Sequence, residues 1–296
     1  VKTNLLAAVL LTLLTPAKAG QAAAFSQLSV DPSASIQAPE APRPEAVSKA
    51  SPFAWDSAAP FSYHQNPAEI VSRGRSAIKI RNVRWGALPA DGRSHRWENA
   101  AVFPELLDKV YYGLRSAGTG HSLLVFVFQD GGFSNSKGEK SAALTIGAEP
   151  YTRAPEGYVR SNDLLGRYPL VWNLTTLANY ADFNVNSYGS DVELSPVNIN
   201  REDAIRLLYA ALEKVDQAAA APGTHVLYAN NCTTSAVGLL NSVLPEAQTI
   251  PLRKLLMTNP DAAFPQKAVA KYTALGVLSP AVIKLNASNY AAAETL

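Results

Sequence analysis

A single cysteine stands among the 296 residues, at position 232. It follows Asn231 and opens a stretch, Cys232 to Leu244, in which Ala236, Leu239, Leu240 and Val243 fall at helical spacing. A helix N-terminus presents unpaired N–H groups and the positive end of the helix dipole. Both stabilise a thiolate and draw a cysteine pKa below its usual ~8.5. The same N–H groups, with Asn231 and Thr233 on either side of the sulfur, are candidates to hold the oxyanion of an acyl-transfer intermediate. Such a nucleophile needs a base, and His121 is placed to be one. It follows Gly120 and starts HSLLVFVFQDGG, a nearly continuous apolar run of the kind found in strands buried on both faces.

The return strand, SAALTIGAEPY, supplies a candidate third member. Paired positions in an antiparallel hairpin keep a constant index sum. A connection centred near Asn135 therefore sets His121 opposite Glu149, whose carboxylate can orient the imidazole. Each residue also has a plainer reading. Cys232 can be a small buried hydrophobe, His121 an ordinary hydrogen-bonded histidine and Glu149 a surface carboxylate. His64, His95 and His225 have no comparable context, and Met257 and the four tryptophans read as packing residues.

Other chemistries lack their residues. There is no G-x-S-x-G elbow, no H-E-x-x-H, and no Gly-rich phosphate loop ending in Lys-Ser/Thr. GTGHSL lacks the third glycine of a dinucleotide fingerprint. One cysteine cannot build a disulfide framework or a four-thiolate cluster. No cofactor and no metal are expected, and a formal charge of +2 gives no electrostatic case for nucleic acid. With 47% hydrophobic and 17% charged residues, the chain has enough apolar content for a sizeable core.

The elements that must position these residues follow from patterning. Ser76 to Trp85 alternates apolar and basic residues and reads as a strand. Arg73, Arg75, Lys79, Arg81 and Arg84 are expected on its solvated face rather than at an anion site. Asn99 to Ser116 carries Val102, Leu106, Leu107, Val110 and Leu114 at spacing that predicts an amphipathic helix. DGGFSNSKGEK reads as a polar loop. Asn200 is placed to cap a helix over Arg201 to Val215, THVLYANN reads as a short strand, and a further helix is predicted over Ala263 to Leu275.

The N-terminal segment has the form of an export signal. Lys2 precedes the apolar run Asn4 to Leu14, and Ala17-Lys18-Ala19 offers an A-x-A cleavage pattern. The run is shorter than the ~20 residues a membrane span needs. Residues 1–19 are thus expected to be a signal peptide. Residues 20–60, rich in Ala, Pro, Ser and Gln, are expected to be a disordered linker, and residues 61–296 the folded domain. Loss of Lys2 and Lys18 leaves no formal net charge, and a periplasmic location is expected.

Four segments come in the order seen in a bacterial family: IRNVRW, GHSLLVFVFQDG, LTIGAE and YANNCTTSAVGLL. Over residues 70 to 280 the chain resembles the Lnb N-terminal periplasmic domain family, with NNCTT its most specific part. That family is similar to permuted papain-like thiol enzymes of the NlpC type, in which the histidine strand precedes the cysteine helix. The resemblance implies an α+β fold, an antiparallel sheet with the cysteine helix packed on it. It also implies acyl chemistry through a thioester, although PYTRAPEG after Glu149 departs from the family's pattern; the reading of the residues makes Cys232 the nucleophile, His121 the base and Glu149 the orienting group. The expected substrates are acyl groups of envelope lipids or lipoproteins; a cell-wall peptide amidase is the alternative. A non-catalytic envelope binding module, engaging an envelope protein partner, and a structural protein with a buried cysteine are the readings from other classes.

Overall fold

Leu123 to Phe128 is apolar at every position, so a strand there must be covered on both faces. In the computed structural model of the chain, all eight residues of His121–Phe128 are buried. The structure describes residues 65–296 apart from 75, 90–94, 117, 119, 153–157 and 255–256. The expected signal peptide and linker, together with His64 and Arg75, lie outside the described residues.

In chain order the strands and helices are β1 (Glu69–Arg73), β2 (Ile78–Arg84), β3 (Trp97–Val102), β4 (Leu107–Arg115), β5 (His121–Phe128), β6 (Phe133–Asn135), β7 (Ala143–Pro150), α1 (Arg160–Leu164), β8 (Tyr168–Thr176), α2 (Leu177–Asp182), β9 (Val192–Pro196), α3 (Arg201–Ala220), β10 (Thr224–His225), α4 (Cys232–Asn241), β11 (Arg253–Lys254), β12 (Met257–Thr258), α5 (Pro260–Ala263), α6 (Pro265–Ala274) and β13 (Ile283–Leu285). The main sheet runs β13-β9-β4-β5-β7-β8-β2-β3-β6, with β1 paired to β2 and β10 to β8. Every pairing is antiparallel except β2 with β8, which meet at Arg84 and Thr175. The architecture is thus mixed α/β, with a largely antiparallel open sheet and several helices.

Alternation along the strands divides the core between two faces. Leu124 and Phe126 of β5, with Leu144 and Ile146 of β7, pack against Leu208 and Leu212 of α3 and Val237 and Leu240 of α4. Leu123, Val125 and Val127 point the other way, against Leu177, Tyr180 and Ala181 of α2. The cysteine helix therefore lies on one face of β5 and β7, and α2 covers the other.

Two expectations give way here, and a third holds with its start moved. The segment 99–116 is not a helix but the end of β3, a 3-10 turn at Pro104–Leu106, and β4. Pro104 lacks the N–H a helix interior needs. Leu107, Val110, Tyr112 and Leu114 are buried together with Tyr111, as in a two-sided strand that happens to match helical spacing. THVLYANN forms only the two residues of β10 before turning, closed by a bridge between Val226 and Asn230. The helix expected over Ala263 to Leu275 is present as α6, starting with Pro265 at its first position and separated from the short α5 by Phe264.

The basic strand is also more divided than alternation implies. Lys79 and Arg81 are exposed, but Arg84 is 3% exposed. The β2–β3 register shifts between Ile80 and Val83, where Asn82 takes a φ of 63°. Such a bulge resets the alternation, so Val83 and Arg84 are both buried. Arg84 is therefore not part of a solvated face.

Candidate active site

The ladder between β5 and β7 pairs Leu124 with Ile146 and Val127 with Ala143. That is the register of a connection centred at Asn135. Continued beyond Leu124, it sets His121 across from Glu149. His121 Nε2 lies 3.5 Å from Glu149 Oε1, an ion-pair rather than a hydrogen-bond spacing. On its other side, His121 pairs directly with Arg115 of β4.

Cys232 is the first residue of α4, held there by a reciprocal cap. Asn231 Oδ1 accepts from the Thr234 N–H at 2.9 Å, and Thr234 Oγ1 accepts from the Asn231 N–H at 2.8 Å. The sulfur is half-buried and lies beside the His121 imidazole and the Ser122 backbone, both of which act on its titration. Residues 111 positions apart in the chain thus meet because a helix start abuts a strand start.

The electrostatics favour an ion pair. Burial pushes the Cys232 thiol up, but the neighbouring His121 pulls it down to about 7, helped by the Ser122 backbone and the Thr233 hydroxyl. Burial disfavours the His121 imidazolium, yet the Cys232 sulfur and Glu149 outweigh burial and the opposing Arg115. The net result lies above the ordinary histidine value. Burial likewise disfavours the Glu149 carboxylate, but His121, Arg84, the Gln65 hydrogen bond and Arg115 hold it below the usual range. Glu149 Oε2 accepts from Asn173 Nδ2 at 2.7 Å and from Gln65 Nε2 at 3.1 Å. Those two amides fix the carboxylate beside the imidazole.

Asn231 and Thr233 are at the site but engaged differently from the expectation. Asn231 Nδ2 donates to the carbonyls of Leu227 at 2.5 Å and Ala263 at 3.0 Å. Both amide hydrogens are spent, so the side chain buttresses the helix start and has no hydrogen left for an oxyanion. Thr233 is completely buried; its hydroxyl is 3.2 Å from Ser122 Oγ and 3.8 Å from the sulfur. Tyr112 donates to that same Ser122 oxygen at 2.7 Å. Asn231→Ala is expected to destabilise the protein by about 1–2 kcal/mol through loss of the cap. Urea unfolding checks this; an unchanged midpoint contradicts it.

Gly147 explains how the imidazole fits. A Cβ at 147 would come within 3.2 Å of His121 Nε2. Gly147→Ala is therefore expected to push the ring out of line and return the Cys232 titration toward that of an ordinary thiol. The pH dependence of iodoacetamide alkylation measures it, and a profile identical to the wild type would contradict the crowding.

His121, Glu149, Asn231, Cys232 and Thr233 all line one cavity of about 640 Å³. Sequence reasoning missed several of its neighbours. Gln65, Arg84, Arg115 and Tyr180 line it too. So does His225, whose Nδ1 lies 2.5 Å from Asp163 Oδ1 in a buried pair. Their signals in the sequence are single polar residues beside apolar runs, indistinguishable from surface positions until the sheet is assembled. Among the described residues no group of three or more His, Cys, Asp or Glu is placed to hold a metal ion. No helix among them is long and apolar enough to cross a membrane.

A model of the Lnb N-terminal periplasmic domain family matches residues 96–259. No curated protein and no solved structure matches the chain. The matched segment is more than half of the sequence and contains His121, Glu149 and Cys232, and the chain belongs to the Lnb N-terminal periplasmic domain family.

Proposed function

We propose that this protein is a cysteine-dependent acyl-transfer enzyme of the cell envelope, a hydrolase or transacylase working through a thioester on Cys232. The observation that carries the reading is the Cys232 sulfur set beside a His121 imidazole that itself faces Glu149, all on the wall of one cavity. A thiol drawn down to about 7 is substantially thiolate at neutral pH. The Cys232 sulfur attacks an acyl carbonyl carbon, forming a C–S bond. The first-turn N–H groups of α4 receive the charge that develops on oxygen. The His121 imidazolium gives its proton to the departing alcohol or amine as the C–O or C–N bond breaks. The imidazole then takes a proton from water or an acceptor nucleophile, which attacks the thioester and frees the sulfur. Glu149 holds the ring and supports its charged form.

The order of histidine strand before cysteine helix supports a permuted papain-like arrangement of the NlpC type. Membership in a periplasmic domain family supports export through the N-terminal signal and an envelope substrate, either lipid or lipoprotein acyl groups. The test is to incubate the protein with an activated acyl thioester and read the intact mass. One acyl group should be gained on Cys232 and removed by neutral hydroxylamine. A protein that stays unmodified while its thiol alkylates readily would overturn the acyl-transfer reading.

A further inference from the structure

Arg115 and Tyr180 are not explained by the proton relay. Arg115 ends β4 directly opposite His121, so both side chains leave the same face of the sheet. Its guanidinium donates to Asn184 Oδ1 at 3.3 Å and lies over the Tyr188 ring. Nε is buried and makes no hydrogen bond among the described residues, and no carboxylate there forms an ion pair with this arginine. The nearest catalytic-site carboxylate, Glu149, already has one oxygen on Asn173 and Gln65 and the other toward His121. Tyr180, 4% exposed, stacks beside the His121 ring, and its hydroxyl is likewise buried without a hydrogen-bond partner among the described residues. Both residues line the cavity that holds the Cys232 sulfur. A guanidinium donor left unmet and a phenol left unmet, side by side in a half-enclosed space, are costly unless a ligand meets them.

We propose that Arg115 and the Tyr180 hydroxyl form an anion subsite next to the candidate nucleophile, which takes a phosphate or carboxylate group carried by the acyl substrate. Guanidinium and phenol donors converge on such oxygens, and a charge-assisted contact there fixes the register of the scissile carbonyl against the sulfur. The inference deepens the acyl-transfer reading and rests on it for the role of the bound group, but the subsite itself is testable without turnover.

The test alkylates Cys232 with iodoacetate and with iodoacetamide, which differ by one carboxylate. The ratio of the two rates, relative to that ratio for glutathione, should be raised about tenfold, the scale of one charge-assisted hydrogen bond. Arg115→Gln should lower the ratio about tenfold, the His121 imidazolium acting equally in both proteins. Arg115→Lys should keep part of the preference, and Tyr180→Phe should lower it. Methyl phosphate and acetate are then compared as protectants of the wild-type thiol, which keeps the test usable should a variant fail to fold. Protection by the first alone assigns a phosphate ester, by the second alone a carboxylate, and by both a site for either. A wild-type ratio equal to that of glutathione, or one unmoved by Arg115→Gln, with neither anion protecting, overturns the subsite. A ratio that falls on Arg115→Gln, with no acyl adduct on Cys232, leaves the subsite standing and removes the acyl-transfer reading instead.

Discussion

Cys232→Ala is expected to lower turnover of an acyl donor by roughly 10⁴-fold or more, to the background of the solution reaction, because the chain holds no second thiol to replace the sulfur. The fold should survive. The sulfur is half-buried, and its contacts are the weak one to Thr233 and those to His121 and Ser122. Removing one such atom costs about 1 kcal/mol or less. Cys232→Ser should be nearly as inactive, since a hydroxyl beside His121 stays protonated where the thiol ionises at about 7. Turnover assays alongside thermal melts check both parts. Retention of more than a few per cent of activity in the alanine variant would remove Cys232 from the chemistry.

The pair at the centre of this site was legible because each member stands at a change of periodicity. Cys232 opens a 3.6-residue pattern, and His121 opens an uninterrupted apolar run after a glycine. The Glu149 pairing was legible for a geometric reason. A hairpin's index sum is fixed by its connection, and β6, within that connection, does not alter the β5–β7 register. What was not legible depended on contacts between distant segments. Arg84 reads as one more cation on an alternating strand, and only the bulge at Asn82 turns it inward. Residues 99–116 fit a helical template as well as a two-sided strand, since burial on both faces erases the period of two. Asn231 looked like an oxyanion donor because sequence proximity cannot show the carbonyls of Leu227 and Ala263 that occupy its amide. His225 and Asp163, 62 positions apart, became a pair only when β10 added to the edge of β8.

His121→Ala tests whether the relay works as a unit. In the wild type the thiol ionises at about 7 because the imidazole beside it outweighs burial. Without the ring, burial and only the weaker pulls of Ser122 and Thr233 remain, so the thiol should titrate well above 7, toward its usual ~8.5. At pH 7 the thiolate then drops from about half of the molecules to about one in thirty, a loss of about fifteen-fold in alkylation rate from ionisation alone. Acyl transfer should fall further, by roughly another 10²-fold, since nothing protonates the leaving group. The pH profiles should differ in sign as well as size. The wild-type rate needs thiolate and imidazolium together, so it should rise as the sulfur deprotonates and fall as the imidazolium loses its proton. These limbs belong to the coupled pair rather than to either residue. The variant should show only a rising limb, displaced upward. Because acyl transfer loses more than alkylation does, the ratio of the two losses separates proton delivery from thiol activation. Equal losses would show that His121 only tunes the sulfur, and an unshifted alkylation profile would show that it does not act on the sulfur at all.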